Sequence, residues 1–438
     1  MTSKFTTMSL KPLSPHQGEH GFSNEHFGNS AAFAKRLALL ACASVLAVPT
    51  LLIAAGGTLD PAFGNNGIVS TPNTSAIAAA LQSDGKLVIA GSIATTQNPQ
   101  QGGLLRYDTN GNLDPNFGTG GEVAIAVGSS NAAAAFAVAI QPDGKILAAA
   151  PANLDLEVFR FNTNGRPDTT FGNNGAVAIE ASGIFLGPAS GGLALQSDGK
   201  ILVASGRVLA RLLPNGQLDA TFGSHGVVAT IGGGSIALLP NGEILLSGSS
   251  LYTSNGSLDT AVGVEGQTAA FPFNAQGGVV VTTNPTTHVT KFVTASSIIT
   301  SPNLAFGKTV SGFLLVRYDS NGSIDNSFGN RGGVATPFPG NVLAQAFTVA
   351  LQSNGDIVAA GQTAPTDVDA APGPSDFALA RFTANGKLDV TFGNGGFVST
   401  PFGNSEAFVS TVLIQTDGKI IAVGNSDSGT TIARYFGG

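Results

Sequence analysis

From residue 58 onward the chain is a succession of short apolar runs cut by polar, Gly- and Asn-rich turns. In the first full copy the runs are Ala78 to Gln82, Lys86 to Ala90, Leu104 to Asp108 and Glu122 to Val127. Each has strand length, each ends at a turn signal, and none keeps the 3.6-residue period of an amphipathic helix. Ser83-Asp84-Gly85-Lys86 joins the first two runs, and Asp-Gly tolerates the positive φ that a tight hairpin needs. Asn110-Gly111 supplies a turn after the third run in the same way. The unit therefore reads as four short antiparallel strands.

The unit repeats. An LD–FG element recurs at Asp60, Asp114, Asp168, Asp219, Asp259, Asp325 and Asp389, with spacings of 54, 54, 51, 40, 66 and 64 residues. A DGK-type turn recurs at Asp84, Asp143, Asp198, Asn241, Asn354 and Asp417, and Phe273 to Val281 reads as a worn seventh copy. An Arg-aromatic strand recurs at Arg106, Arg160, Arg211, Arg317, Arg381 and Arg434, with Leu251-Tyr252 as its degenerate copy. Three motifs in fixed order each count to seven. A four-stranded sheet of about 50 residues cannot cover both of its faces, and radial stacking solves this. The expected fold is all-β: a single seven-bladed β-propeller of four-stranded blades, spanning 58–438. A β-solenoid, the rival, has shorter coils and no hairpins. The chain stops after Arg434-Tyr435-Phe436, where an LD–FG element is due, and the missing piece stands at Leu59 to Ser70. The N-terminal strand is thus expected to join the C-terminal blade and close the ring, removing two open edges.

Composition narrows the function classes. Charged residues make up 11% of the chain and the net charge is −7, with no basic stripe for nucleic acid. Cys42 is the only cysteine, so disulfides, thiolate metal sites and cysteine nucleophiles are excluded after it. Residues 1–57 form a leader: Lys35-Arg36 precede an apolar segment, 37–55, that resembles a secretory signal processed near Ala55-Gly56. A retained membrane anchor is the alternative, since 19 apolar residues can just span a bilayer. The protein is expected in the medium or the cell envelope, as a monomer, with membrane contact only if the leader stays.

The recurring LDxxFGxxGxV, LQxDGKxxxAG and RYxxNG elements resemble the bacterial delta-60 repeat family, over nearly everything from Thr58 to Phe436. The resemblance implies β-propellers in exported bacterial proteins and carries no common activity. Two units depart from the pattern. Unit four is compressed to 40 residues; unit five has Val262 where Phe is due and carries an insertion around Thr282 to Ser311.

A recurrent arginine inside an apolar strand needs a carboxylate or carbonyls, because an unpaired buried charge is costly. Arg106, Arg160, Arg211, Arg317, Arg381 and Arg434 are therefore assigned a structural role, paired with Asp60, Asp114, Asp168, Asp219, Asp325 and Asp389 within or between blades; Arg106 has Asp60 or Asp114 as its candidates. Phe63, Phe117, Phe171, Phe222, Phe328 and Phe392 read as inter-blade anchors. Asp108 to Asp114 has oxygen donors at alternating positions, yet its Gly is fourth where a calcium loop needs it sixth, and the leading Asp is kept only at Asp108 and Asp319, so a hairpin turn is favoured over calcium. No cofactor is expected. Beyond the leader only His225 and His288 remain, in unlike contexts, and no catalytic or metal set stands out.

The DGK turns and the NG–LD–FG connections are uniform, and in a propeller they share one face. The other connections vary: Ser92 to Gly103, Pro151 to Leu156, Thr282 to Ser311 and Gln362 to Asp376 after the second strand, and Thr71 to Ser75, Ile184 to Ser190 and Phe338 to Leu343 after the fourth. Variable loops on a rigid scaffold are where binding residues gather. The expected function is a non-enzymatic binding or surface module using that face, for an unidentified protein or glycan. The alternatives are a propeller-type hydrolase or lyase with a metal in its channel, and a structural envelope protein.

Overall fold

The computed structural model describes residues 54–96, 100–127, 130–131, 133–152, 155–180, 191–230, 234–246, 250–261, 278–284, 287–300, 310–340, 342–365 and 374–438. The leader, 1–57, lies almost wholly outside them. The rest is a seven-bladed β-propeller. Blade one consists of Thr74–Leu81, Leu87–Ile93, Gln101–Tyr107 and Glu122–Ala124, paired in that order and antiparallel throughout. Blades two, three, five and six repeat the order. Among the described residues blade four shows three strands, Ile236–Leu238, Ile244–Leu246 and Ser250–Tyr252.

The seven first strands touch one another in a closed cycle, so they line the central channel. Second and third strands are buried along their length, as in Leu87–Ile93 and Gln101–Tyr107. Both of their faces meet apolar neighbours, which is why they read as unbroken apolar runs rather than alternating ones. Seven apolar clusters result, one in each seam between adjacent blades. The LD–FG phenylalanines sit in these seams: Phe117 between blades one and two, Phe171 between two and three, Phe392 between six and seven.

The ring closes with the chain's own first strand. Ile68–Thr71 adds to Gly429–Tyr435 in blade seven, with Ile68 opposite Ala433 and Thr71 opposite Thr430. The Gly57 N–H donates to the Phe436 carbonyl at 2.8 Å, and the Phe436 N–H to Thr58 at 2.9 Å. Gly57 and Thr58 thus stand beside Phe436 where other blades run through an unbroken NG turn.

Blade five corrects the sequence reading. Val279–Thr283 is its first strand rather than the strand after a worn DGK turn, and it pairs with Thr290–Thr300. Half of the segment read as an insertion from Thr282 to Ser311 is therefore strand. The hairpin is the longer connection 284–289, which has no Asp-Gly to announce it. Two other loops are shorter than expected. Gln101–Tyr107 begins three residues before Leu104, and only 153–154 separate Ile146–Ala152 from Asp155–Phe161. Of the variable connections after the fourth strand, 184–190 lies outside the described residues.

Candidate functional site

Each recurrent arginine projects from a third strand into the seam with the next blade. The Nε donates to the aspartate eight residues on: Arg106 to Asp114 at 3.0 Å, Arg160 to Asp168 at 2.7 Å, Arg211 to Asp219 at 2.8 Å, Arg317 to Asp325 at 2.6 Å and Arg381 to Asp389 at 2.7 Å. Arg434 reaches across the closure to Asp60 at 2.9 Å. Arg106 therefore takes Asp114, within its own blade, and Asp60 serves the last blade. Every guanidinium also lies over the LD–FG ring of its blade, 4.4 Å from the centroid for Phe117 and 4.5 Å for Phe63 and Phe171.

The other half of the guanidinium crosses the seam. Arg160 Nη1 donates to the Pro214 carbonyl at 2.6 Å, Arg317 to Ala384 at 2.6 Å and Arg434 to Thr109 at 2.7 Å. Arg106, Arg211 and Arg381 donate likewise to Thr163, Ser254 and Gly437. All of these carbonyls stand in the NG turn of the following blade, or in the joined ends that replace it. One side chain thus ties its own strand pair, the aromatic anchor and the next blade.

Sequence reasoning missed a third partner. The lysine of the DGK turn reaches the same aspartate: Lys86 to Asp114 at 3.3 Å, Lys145 to Asp168 at 3.0 Å, Lys200 to Asp219 at 3.4 Å, Lys419 to Asp60 at 3.5 Å. In blade five the lysine is Lys291, 2.6 Å from Asp325, beyond the longer hairpin. Its recurrence in the DGK motif was the available signal. Burial pushes the Asp168, Asp219 and Asp325 carboxyls up, but hydrogen bonds from Thr170, Thr221, Lys291 and Ser327 and the arginine charges outweigh it. All three are held far below the usual carboxylate range. Asp114 and Asp389 are lowered as well. Two blades depart from this plan: in blade four Leu251 occupies the arginine position, within an apolar cluster, and Glu243 the lysine position, and in blade six Asp356 occupies the lysine position.

Chemistry at the channel is of another kind. The seven first strands contain no Asp, Glu, Lys, Arg or His. At the loop-rich end, Phe347 and Phe408 from blades six and seven meet edge to face, 6.3 Å between centroids at 87°. They are 36% and 38% exposed, two of five large apolar side chains so open to solvent among the described residues. With Val409, Ser410 and Gln362 they border a cavity of about 360 Å³, and Gln362 donates to Gln345 at 3.0 Å beside it. At the turn end a larger cavity, about 680 Å³, is enclosed by the DGK turns of blades seven, one, two and three.

The remaining candidates are local. Asp108 accepts the backbone N–H groups of Asn110 and Asn112 at 2.9 and 2.8 Å, capping its own turn. His225 and His288 occupy separate turns, each at φ +55°. Among the described residues no group of three or more His, Cys, Asp or Glu gathers as a metal site.

Five stretches, 82–117, 141–171, 196–222, 305–328 and 352–392, match the model of a family described as a domain of unknown function (DUF5122) beta-propeller. No curated protein matches the chain. Among solved structures the fold is similar to virginiamycin B lyase from Staphylococcus aureus, a catalytically inactive variant with quinupristin. That likeness has a TM-score of 0.51 at 11% identity and covers 84% of this chain and 99% of that one. The extracellular domain of a hybrid two-component system from B. thetaiotaomicron gives a TM-score of 0.42 at 14% identity, covering 83% of this chain and 38% of that one. At such identities the likeness is one of fold. The chain is a β-propeller of tandem repeats.

Proposed function

We propose that this propeller is an exported, non-enzymatic binding module that receives an uncharged, apolar group at the loop-rich mouth of its channel. The observation that carries the reading is the exposed Phe347–Phe408 pair over a cavity of about 360 Å³. Two aromatic rings left open side by side are costly in water and well suited to an apolar anchor. The first strands offer no ionisable group to act as acid or base, so the described channel wall supplies shape and apolar contact rather than proton transfer. A rigid ring carrying variable loops around such a mouth fits recognition.

A displayed peptide library panned on the intact protein tests this. Selected peptides are expected to share an aromatic or long aliphatic anchor and to lose binding at least tenfold on the double variant Phe347→Ser, Phe408→Ser. Binders that ignore the double substitution would end the reading.

A further inference from the structure

Charge is segregated along the channel axis. Among the described residues every lysine stands at the turn end: Lys86, Lys145, Lys200, Lys291 and Lys419 hold the clasp aspartates, and Lys387 follows the Asn385-Gly386 turn. Every described arginine except Arg207 stands there as well, at the far end of a third strand or in a turn. The loop-rich end is the reverse. Asp155, Glu180, Asp376, Glu406 and Asp427 lie in its connections or at its strand ends, with Glu157 buried two positions beyond Asp155. Arg207, in blade three, is the one described cation on that face.

Three of these acids flank the aromatic pair. Glu406 is exposed two positions before Phe408, and Asp427 is exposed in the hairpin two positions beyond Asn425, the strand partner of Phe408. Asp376 is in register with Thr363, next to Gln362, which borders the same cavity. Its carboxylate accepts from Ser399 Oγ at 2.7 Å. Turn-end acids are matched, as Asp84 by Lys86 at 3.3 Å and Asp417 by Lys419 at 3.0 Å. Asp376, Glu406 and Asp427 form no ion pair among the described residues. Exposed acids alone need no explanation. As the rim of two open aromatic rings they set the sign of the occupant, because complementary charge steers encounter and like charge repels. A phosphate-bearing surface has the wrong sign. A second copy of this chain offers only lysines already matched by aspartates.

We infer that the loop-rich mouth docks a basic peptide segment. One aromatic or long aliphatic side chain enters the cavity beside Phe347 and Phe408, and lysines or arginines flanking it meet Asp376, Glu406 and Asp427. The cavity, about 360 Å³, is at the small end of ligand sites and takes a single anchor, while the rest of the segment lies across the rim. Built on the mouth's proposed role in receiving an apolar group, this assigns the carrier of that group a class and a charge.

The test is fluorescence anisotropy on the intact protein, with labelled peptides that share a central Phe-Leu pair and differ in their flanks: lysine, glutamine or glutamate. Exposed ion pairs each change affinity by a factor of about 1.5–5, so at low salt the lysine peptide is expected to bind roughly tenfold tighter than the glutamine peptide. The glutamate peptide is expected to bind more weakly than either. The gap should close in about 0.5 M NaCl, where the screening length falls to about 4 Å. The triple variant Asp376→Asn, Glu406→Gln, Asp427→Asn keeps side-chain shape and is expected to bind the lysine and glutamine peptides alike. The control Asp155→Asn, Glu180→Gln, on blade two, is expected to keep the preference. A lysine peptide that binds no tighter than the glutamine peptide, or a preference that survives the triple variant, overturns the basic partner and leaves the mouth's binding role standing. Peptides that bind the Phe347→Ser, Phe408→Ser variant undiminished would remove that role and the basic partner with it.

Discussion

Replacing Arg160 with Met removes one complete clasp between blades two and three. The lost contacts are the bond to Asp168 at 2.7 Å, the bond to the Pro214 carbonyl at 2.6 Å and the stacking over Phe171 at 4.5 Å. A charge-assisted bond contributes about 1.5–3 kcal/mol, and a cation over an aromatic face about 0.5–2 kcal/mol. Breaking a buried pair outright costs about 3–5 kcal/mol, because it strands a charge. Here Asp168 keeps Lys145 at 3.0 Å, and the methionine stem still covers Phe171. The loss is therefore expected near the lower end, about 3 kcal/mol. With an unfolding entropy of about 2.1 cal/mol/K per residue over about 380 residues, that corresponds to a Tm shift of about 4 °C in calorimetry. Lys145→Met alone should cost under about 1 kcal/mol, since that lysine is partly solvated and Asp168 retains Arg160. The double variant should lose more than the sum, because only then is Asp168 left without a cation. A single-variant shift below about 1 °C, or strict additivity, would refute the clasp.

Two further outcomes follow from the same geometry. Asp168, Asp219 and Asp325 have depressed folded-state values, so their contribution is complete above the unfolded carboxylate range near pH 4 and lost as pH falls through and below it. Tm should be flat between about pH 5 and 7 and drop steeply below about 4; a profile unchanged down to about pH 2.5 would contradict the assignment. Gly165→Ala should destabilise by about 2–3 kcal/mol in denaturant titration. Gly165 has φ +83°, and a Cβ there would stand 2.7 Å from Val123 Cγ2 of the preceding blade. A loss of under about 0.5 kcal/mol would show that the seam yields.

The architecture was legible because its signals are local. Asp-Gly and Asn-Gly dictate turns wherever they occur, and three motifs keep the same order from blade to blade. The closing strand was legible too, since an LD–FG element missing at one end stood at the other. Blade five was misread where the local signal lapsed: Asn284 to Val289 turns the chain without glycine, and its lysine, Lys291, lies outside any DGK. The reach of Arg160 to Pro214 depends on how closely two sheets approach, 54 residues apart in sequence, and no local pattern encodes that distance. The same holds for the channel. Phe347 and Phe408 are 61 positions apart and look like ordinary strand residues until the ring sets them side by side.

The paired segments Gly56-Gly57 and Phe436-Gly437 occupy a connection that the other blades span without interruption. The covalent break is therefore out of phase with the sheets by one strand. A gene that grew by copying its own LD–FG-to-Arg segment would add material shared between two neighbouring blades, never a finished sheet with bare flanks. Each intermediate length could then zip its leading strand onto its trailing sheet, so rings of different sizes lie within reach of the same simple duplication.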